Sequence, residues 1–168
     1  MNRRTFLTYA STSAALALLS ACGFQLRGAN GEADLPFKTM LLGFGEASTL
    51  GAELRRTIRA NGTEVVTDPK LAEALLDVLS ETREKVVLSL NSQGRVREYT
   101  LLYKFRFRVR GSKGQELLPS TLITLKRDIS FNESQALAKE AEEGLLYRDM
   151  QSDLVQQILR RLVALKPA

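Results

Sequence analysis

Residues 103–110 read Tyr-Lys-Phe-Arg-Phe-Arg-Val-Arg, and this alternation decides how the chain folds. Successive side chains of a β-strand point to opposite faces of the sheet, so the three aromatic residues and the valine share one face and the four cations share the other. An apolar face of this kind has to be covered by other elements. The stretch therefore predicts a half-buried antiparallel strand with a basic outer face.

Turn signals on both sides of this strand extend it into a three-stranded meander. Asn91-Ser92-Gln93-Gly94 comes before it and Gly111-Ser112-Lys113-Gly114 comes after it. Pro119 indicates an edge strand or an early bulge, since proline cannot donate to a ladder of hydrogen bonds. The predicted strands cover 74–90, which is long or interrupted, 95–110 and 116–131.

The segment before the meander predicts a first strand and a first helix. The apolar run 38–44 is typical of a strand. After it, Ser48 is placed to cap a helix, and Asn61-Gly62 is placed to end it. Leu50, Leu54 and Ile58 recur every four positions, so one face of this helix is expected to be buried.

A second helix is predicted from Asn132 to about Leu165, opened by a capping box in which Gln135 lies three residues after Asn132. Its spacing of apolar residues has a helical period. The expected apolar stripe consists of Leu137, Ala141, Leu145, Leu154, Ile158, Leu162 and Leu165. The two helices can then cover one face of the sheet and leave the other exposed.

The first 21 residues have the features of a bacterial signal peptide. Arg3 and Arg4 supply the positive charge, and the uncharged stretch 10–19 is too short to span a bilayer as a helix. The two arginines are also compatible with twin-arginine export, so the route stays open. Leu19-Ser20-Ala21-Cys22 resembles a lipobox, whose cysteine is acylated; the alternative is an ordinary signal peptide followed by a chance cysteine. The predicted division is 1–21 signal peptide, 22–37 lipidated tether and 38–168 folded domain.

Composition argues against most enzyme classes. The chain has no histidine, and its single cysteine is Cys22, which excludes nucleophilic sites and metal sites that need an imidazole. No glycine-rich phosphate loop is present. The net charge of +5 falls to +3 without Arg3 and Arg4. A binding or assembly protein is expected, with no cofactor, no metal and no nucleic-acid partner.

The row of cations at Lys104, Arg106, Arg108 and Arg110 allows two interpretations. Like charges along one strand face repel unless anions lie next to them. The row is therefore either a solvated face that pairs with acids of adjacent strands, such as Asp77 or Glu81, or a site for phosphorylated lipid or an acidic partner.

Three motifs, in this order, resemble the LptE family, the lipoprotein partners of the outer-membrane barrel LptD. The first is Cys22-Gly23-Phe24-Gln25-Leu26-Arg27-Gly28, and the second is Gly94-x-x-x-Glu98-Tyr99. The third begins at Ala136-Leu137-Ala138-Lys139-Glu140-Ala141-Glu142, continues at Tyr147-Arg148-Asp149-Met150 and ends at Gln156-Gln157-Ile158-Leu159-Arg160-Arg161-Leu162.

The resemblance implies an α+β fold, a two-layer sandwich of two helices on one face of a four-stranded mixed sheet, preceded by a cleaved signal peptide. It also implies a plug in the LptD barrel that helps to assemble lipopolysaccharide (LPS) into the outer leaflet, without catalysis. Cys22 would carry the N-palmitoyl and S-diacylglycerol groups, and Gly23 in place of aspartate would send the anchor to the outer membrane. The alternative is an outer-membrane lipoprotein with another client, such as a secretin pilotin or an accessory subunit of a lipid transporter.

Basic residues are the expected contacts to LPS phosphates or to the barrel. The lysine of the family's Ala-Leu-Ala-Lys element corresponds to Lys139, and Arg95 is the cation nearest the hairpin tip, where the family has a basic residue. The complete expected set is Lys139, Arg95, Lys104, Arg106, Arg108 and Arg110.

Overall fold

The computed structural model describes residues 35–166; the predicted signal peptide, Cys22 and nearly all of the predicted tether lie outside this range. The elements are β1 Thr39–Gly43, α1 Thr49–Ala60, β2 Glu64–Val66, β3 Ala74–Leu90, β4 Val96–Gly111, β5 Glu116–Ser130 and α2 Ala136–Val163. Short 3₁₀ turns at Pro69–Leu71 and Glu133–Gln135 precede β3 and α2.

The strands form one mixed sheet in the order β2-β1-β3-β4-β5. β1 is parallel to β2 and to β3, whereas β3, β4 and β5 form the predicted antiparallel meander. The expected mixed sheet is confirmed, but its expected count of four strands is wrong. The fifth strand is β2, which has three residues and pairs at the edge with β1.

Helix α1 connects β1 to β2, and its ends are those that the sequence predicts. The Ser48 hydroxyl accepts a hydrogen bond of 3.0 Å from the Gly51 amide, and Gly62 has a positive φ of 79° directly after the end of the helix. Leu50, Leu54 and Ile58 are fully buried, so the predicted apolar face packs into the core. The βαβ unit formed in this way joins α1 to the parallel half of the sheet.

Helix α2 differs from its prediction in two respects. Asn132 caps the 3₁₀ turn, where its side chain accepts from the Ser134 amide, and the N-cap of α2 itself is Gln135, with no side-chain bond. The apolar stripe is buried only in the second half of the helix. Leu137, Ala141 and Leu145 are exposed, whereas the buried residues of α2 are Met150, Leu154, Val155, Ile158, Leu159 and Leu162.

The core lies between these helices and one face of the sheet. Tyr103, Phe105, Phe107 and Val109 are fully buried there, which confirms the predicted inner face of β4. The Phe105 ring stacks on that of Phe107 with centroids 5.3 Å apart. Within residues 35–166, no helix combines the length and the apolar content that crossing a membrane requires.

Two irregularities of the meander decide which side chains face the helices. β5 is an edge strand, and its register shifts between Leu118 and Thr121, so Pro119 lies in a bulge as predicted. In β3 the register shifts between Val78 and Ser80, which leaves Leu79 without a partner on β4. A bulge of one residue exchanges the two faces for every residue that follows it.

Candidate functional site

Three of the four cations on the outer face of β4 have carboxylates next to them. Lys104 Nζ lies 2.9 Å from Glu84, and Arg108 and Arg110 both bind the same Asp77 oxygen, at 2.9 and 2.6 Å. The hydrogen bond from Arg110, with that from Arg108, holds the pKa of the Asp77 carboxyl below its ordinary value, although partial burial opposes the shift. For these three residues the interpretation as a paired, solvated face is supported.

Of the two acids expected to neutralise this row, Asp77 does so and Glu81 does not. Glu81 follows the bulge at Leu79, so its side chain lies on the inner face. There it accepts a hydrogen bond of 2.6 Å from the Tyr103 hydroxyl. Burial, and then this bond, raise the pKa of Tyr103, which keeps the hydroxyl protonated as a donor.

Arg106 is the member of the row that the structure leaves exposed. Among residues 35–166, no carboxylate lies within 4.0 Å of its guanidinium. Its partners across the strands are Ser80 on β3 and Leu122 on β5, and neither is charged. Three cations of the row therefore lie next to a carboxylate and one, Arg106, does not. Because Arg108 and Arg110 share Asp77, the four positive charges of the row face two negative ones.

The other two predicted contact residues lie together at the opposite end of β4. Arg95 Nη1 is 3.5 Å from Glu133, and Lys139 Nζ is 3.0 Å from the Ser130 hydroxyl and 2.9 Å from Glu142. Ser130 is the last residue of β5 and Glu133 follows it in the β5–α2 connection, so these contacts place Arg95 and Lys139 at the same end of the described domain. Lys139 is anchored in its position, and Arg95 is largely exposed.

An open pocket of about 240 Å³ adjoins Arg95 at this end. Its lining residues are Asn91, Arg95, Val96, Arg97, Phe131, Asn132 and Glu133. Arg97 was not expected in the site from the sequence. The available signal was the spacing Arg95-x-Arg97 directly after the turn, which puts two cations on one side of a strand.

Exposed apolar residues continue from this pocket along β3. Val86, Val87, Leu88 and Leu90 are all about half exposed, and Leu90 pairs with Val96 of the pocket. No charged residue occurs from Val86 to Gly94. Sequence reasoning treated this stretch only as a strand, but its residues expose apolar area on both faces of the sheet, with Val86 on one face and Val87 on the other. We call the pocket and this stretch of β3 together the hairpin end.

Polar contacts attach the middle of α2 to β3. Lys85 forms an ion pair of 2.7 Å with Glu143, and the Tyr147 hydroxyl donates to the Glu84 carbonyl at 2.9 Å. Arg83 lies over the Tyr103 ring, 4.6 Å from its centroid. The first half of α2 is thus held by charges and hydrogen bonds, which explains how Leu137 and Leu145 remain exposed on its far side.

The fold defines a class of protein, a two-layer α+β scaffold of two helices on a mixed five-stranded sheet. Within residues 35–166 no three acidic, histidine or cysteine side chains group in a way that would hold a metal ion. The model of the LptE family, described as lipopolysaccharide-assembly, matches residues 37–162. The chain belongs to the LptE family, which is a family of LPS-assembly lipoproteins and not an enzyme family.

Relatives and solved structures agree with this assignment. The chain is 26% identical to the LPS-assembly lipoprotein LptE of Pectobacterium atrosepticum over 153 residues, which cover 90% of this chain and 82% of the relative. For the protein of the same name from Yersinia enterocolitica the identity is 26%, with 92% and 74% covered. The solution structure of lipoprotein B from Nitrosomonas europaea has a TM-score of 0.73 and 40% identity, covering 84% of this chain and 91% of that one. Rare lipoprotein B from Shewanella oneidensis has a TM-score of 0.66 and 28% identity, covering 75% and 94%.

Proposed function

We propose that this protein is an outer-membrane lipoprotein that forms a complex with an LptD barrel and assists the assembly of LPS into the outer leaflet. The observation that carries the proposal is the hairpin end in a chain of the LptE family, where Arg95 and Arg97 line a pocket beside exposed apolar residues. Lys139 is bonded to Ser130 at the adjoining end of β5. In this role the protein binds LPS and supports folding of the barrel.

The hairpin end suits LPS because it offers both kinds of contact that this ligand needs. Phosphates of lipid A and of the inner core accept charge-assisted hydrogen bonds, and the planar guanidinium of arginine makes two of them at once. Leu90, which pairs with Val96 of the pocket, and the half-exposed Val87 of the same strand supply apolar area for acyl chains. Lys139 is held in place by Ser130 and by Glu142, and a phosphate would take the place of Glu142 beside its ammonium group.

Binding of purified LPS to the chain tests the ligand. Arg95→Glu combined with Lys139→Glu is expected to weaken binding by roughly tenfold or more, because each change replaces attraction to phosphate with repulsion. Arg56→Glu on the exposed face of α1 is a matched control, since it reverses a charge far from the hairpin end. Equal binding by the double variant and the wild type would contradict this placement of the LPS site.

Co-purification from detergent-solubilised outer membrane tests the partner. We expect the lipidated chain to bring down one large barrel, and depletion of the chain to leave that barrel unassembled and LPS trapped inside the cell envelope. Recovery of a secretin multimer in its place would show the chain to be a pilotin. Recovery of a subunit of a lipid transporter would likewise overturn the proposal.

The proposed anchor is Cys22, which lies outside the described residues. Two or three acyl chains bind a bilayer with about 0.8 kcal/mol per buried CH₂, so the lipid determines the membrane address and the folded domain determines the partner. Cys22→Ser is expected to remove the acyl anchor, so that the chain is no longer membrane-bound in cells depleted of the barrel, whereas the purified soluble domain still binds the barrel. If the soluble domain bound no barrel at all, this division of roles would be wrong.

A further inference from the structure

Most charges on the outer face of the sheet lie next to a charge of opposite sign. Asp77 accepts hydrogen bonds from two arginines, Glu84 accepts two from Lys104, and on β5 Lys126 lies 3.7 Å from Asp128. Such pairs at a surface contribute little to stability. They also reduce the charge that a partner can recognise, although one positive charge remains where two arginines share Asp77.

Arg106 is the exception, and the register of the sheet explains why. The nearest acid on the strand before it is Asp77, and both of its oxygens already bind Arg108 and Arg110. The bulge at Leu79 then turns Glu81 to the other face, so no acid lies opposite Arg106. Its cross-strand partners are a serine and a half-exposed leucine, Leu122.

We propose that Arg106 is the anchor of a protein docking surface, and that its partner is a carboxylate on the wall of the barrel to which this chain binds. This inference rests on the proposed function and extends it to a second surface, separate from the hairpin end. An exposed arginine on an inner strand of the sheet, with uncharged residues as its cross-strand neighbours, is of the residue type that is enriched at interface hot spots. Its unneutralised charge is complementary to one acidic side chain.

The same chemistry argues against a phosphorylated lipid at Arg106. Phosphate groups of LPS carry several negative charges, which favour several converging cations. The cations beside Arg106 on β4 are Lys104 and Arg108, and both are already paired with acids of β3. Neither neighbour can turn toward a phosphate without leaving its carboxylate, so among the described residues Arg106 is the one cation of this row without an acid beside it.

Charge variants of Arg106 in the full lipidated chain, co-expressed with the LptD barrel and purified in detergent, test the inference. We expect Arg106→Glu to reduce the barrel recovered per chain by roughly tenfold or more, and Arg106→Gln to reduce it by less. Arg56→Glu, with the same change of charge on α1, is expected to leave recovery unchanged. Arg106→Gln also serves as the test if the reversed charge disturbs folding.

Each result has a defined meaning. Failure of the wild-type chain to recover the barrel would refute the proposed function, and this inference with it. Recovery by both Arg106 variants at the wild-type level would refute the inference alone. Loss of LPS binding with barrel recovery intact would assign Arg106 to the lipid and would also overturn the inference. A suppressor that changes an acidic barrel residue to lysine and restores binding to Arg106→Glu would identify the partner carboxylate.

Discussion

Two neighbouring residues of β4 provide a sharp test of the two-faced sheet. Phe105 is fully buried, with its ring stacked on Phe107 at 5.3 Å and on Phe44 at 5.7 Å. Arg106, one residue further on, lies on the exposed face without an ion pair among the described residues. The fold predicts that these adjacent positions respond very differently to substitution by alanine.

The magnitudes follow from burial. Phe105→Ala removes a ring from a packed core and is expected to lower the free energy of unfolding by about 3–5 kcal/mol, whereas Arg106→Ala is expected to change it by less than about 0.5 kcal/mol. For a domain of this size, the larger loss corresponds to a decrease in Tm of roughly 10–20 °C.

Urea unfolding of the soluble domain, followed by circular dichroism, measures both values. The slope of the free energy against urea has to remain the same in all three proteins if the comparison is to report native-state stability. A cost for Arg106→Ala equal to that for Phe105→Ala would refute the two-faced arrangement. A cost for Phe105→Ala below about 1 kcal/mol would refute the placement of this ring in the core.

Three further predictions concern the helices and the paired charges. In the same unfolding assay, Leu154→Ala is expected to lower the free energy of unfolding by about 2–5 kcal/mol and Leu137→Ala by less than about 0.5 kcal/mol, because only Leu154 is buried. Similar losses in the two variants would contradict the exposure of the first half of α2. Ser48→Ala is expected to cost about 1 kcal/mol through loss of the cap on α1, and an unchanged midpoint would show that the cap is dispensable. The pKa of Asp77 is lowered in the folded state, so its contribution to stability is present above the unfolded-state pKa and is lost as the pH falls through the folded one. As the pH is lowered from neutral to acid, Asp77→Asn should therefore lose less stability than the wild type. Parallel curves of Tm against pH for the two proteins would contradict this.

Local pattern was sufficient to predict most of the fold. The alternation in β4, the spacing of Leu50, Leu54 and Ile58, and the turn at Gly94 each depend on residues close together in the sequence, and the structure confirms all three. β2 was not counted among the predicted strands, because three residues are too few to show a period. Its position in the sheet depends on pairing with β1.

Helix α2 shows what periodicity leaves undecided. A stripe at helical spacing indicates an apolar face, but it does not identify the surface that covers it. Leu154, Ile158 and Leu162 pack into the core, whereas Leu137 and Leu145 continue the same spacing but are 82% and 54% exposed. Polar contacts through Lys85 and Tyr147 hold the first half of the helix, and sequence spacing could not predict such long-range pairs.

Only part of the candidate site could be predicted, because the rest depends on contacts between residues far apart in the sequence. That the four cations of β4 share one face follows from alternation alone. Which of them are neutralised depends on the register between β3 and β4, and a single bulge decided between Asp77 and Glu81. The pocket beside Arg97 depends on the β5–α2 connection closing against a distant turn.

The bulge at Leu79 reverses which residues of β3, the odd-numbered or the even-numbered, face outward. Asp77, Arg83 and Lys85 all have odd numbers, yet Asp77 faces outward to the arginines of β4, and Arg83 and Lys85 face inward to α2. Without the bulge, the strand could place either Asp77 or the pair Arg83 and Lys85 next to its partners, but not both. Deletion of Leu79 would restore the alternation and turn one of these sets of charges toward the wrong layer. Insertions and deletions in the middle of β3 are therefore expected to be far more damaging than substitutions at the same positions.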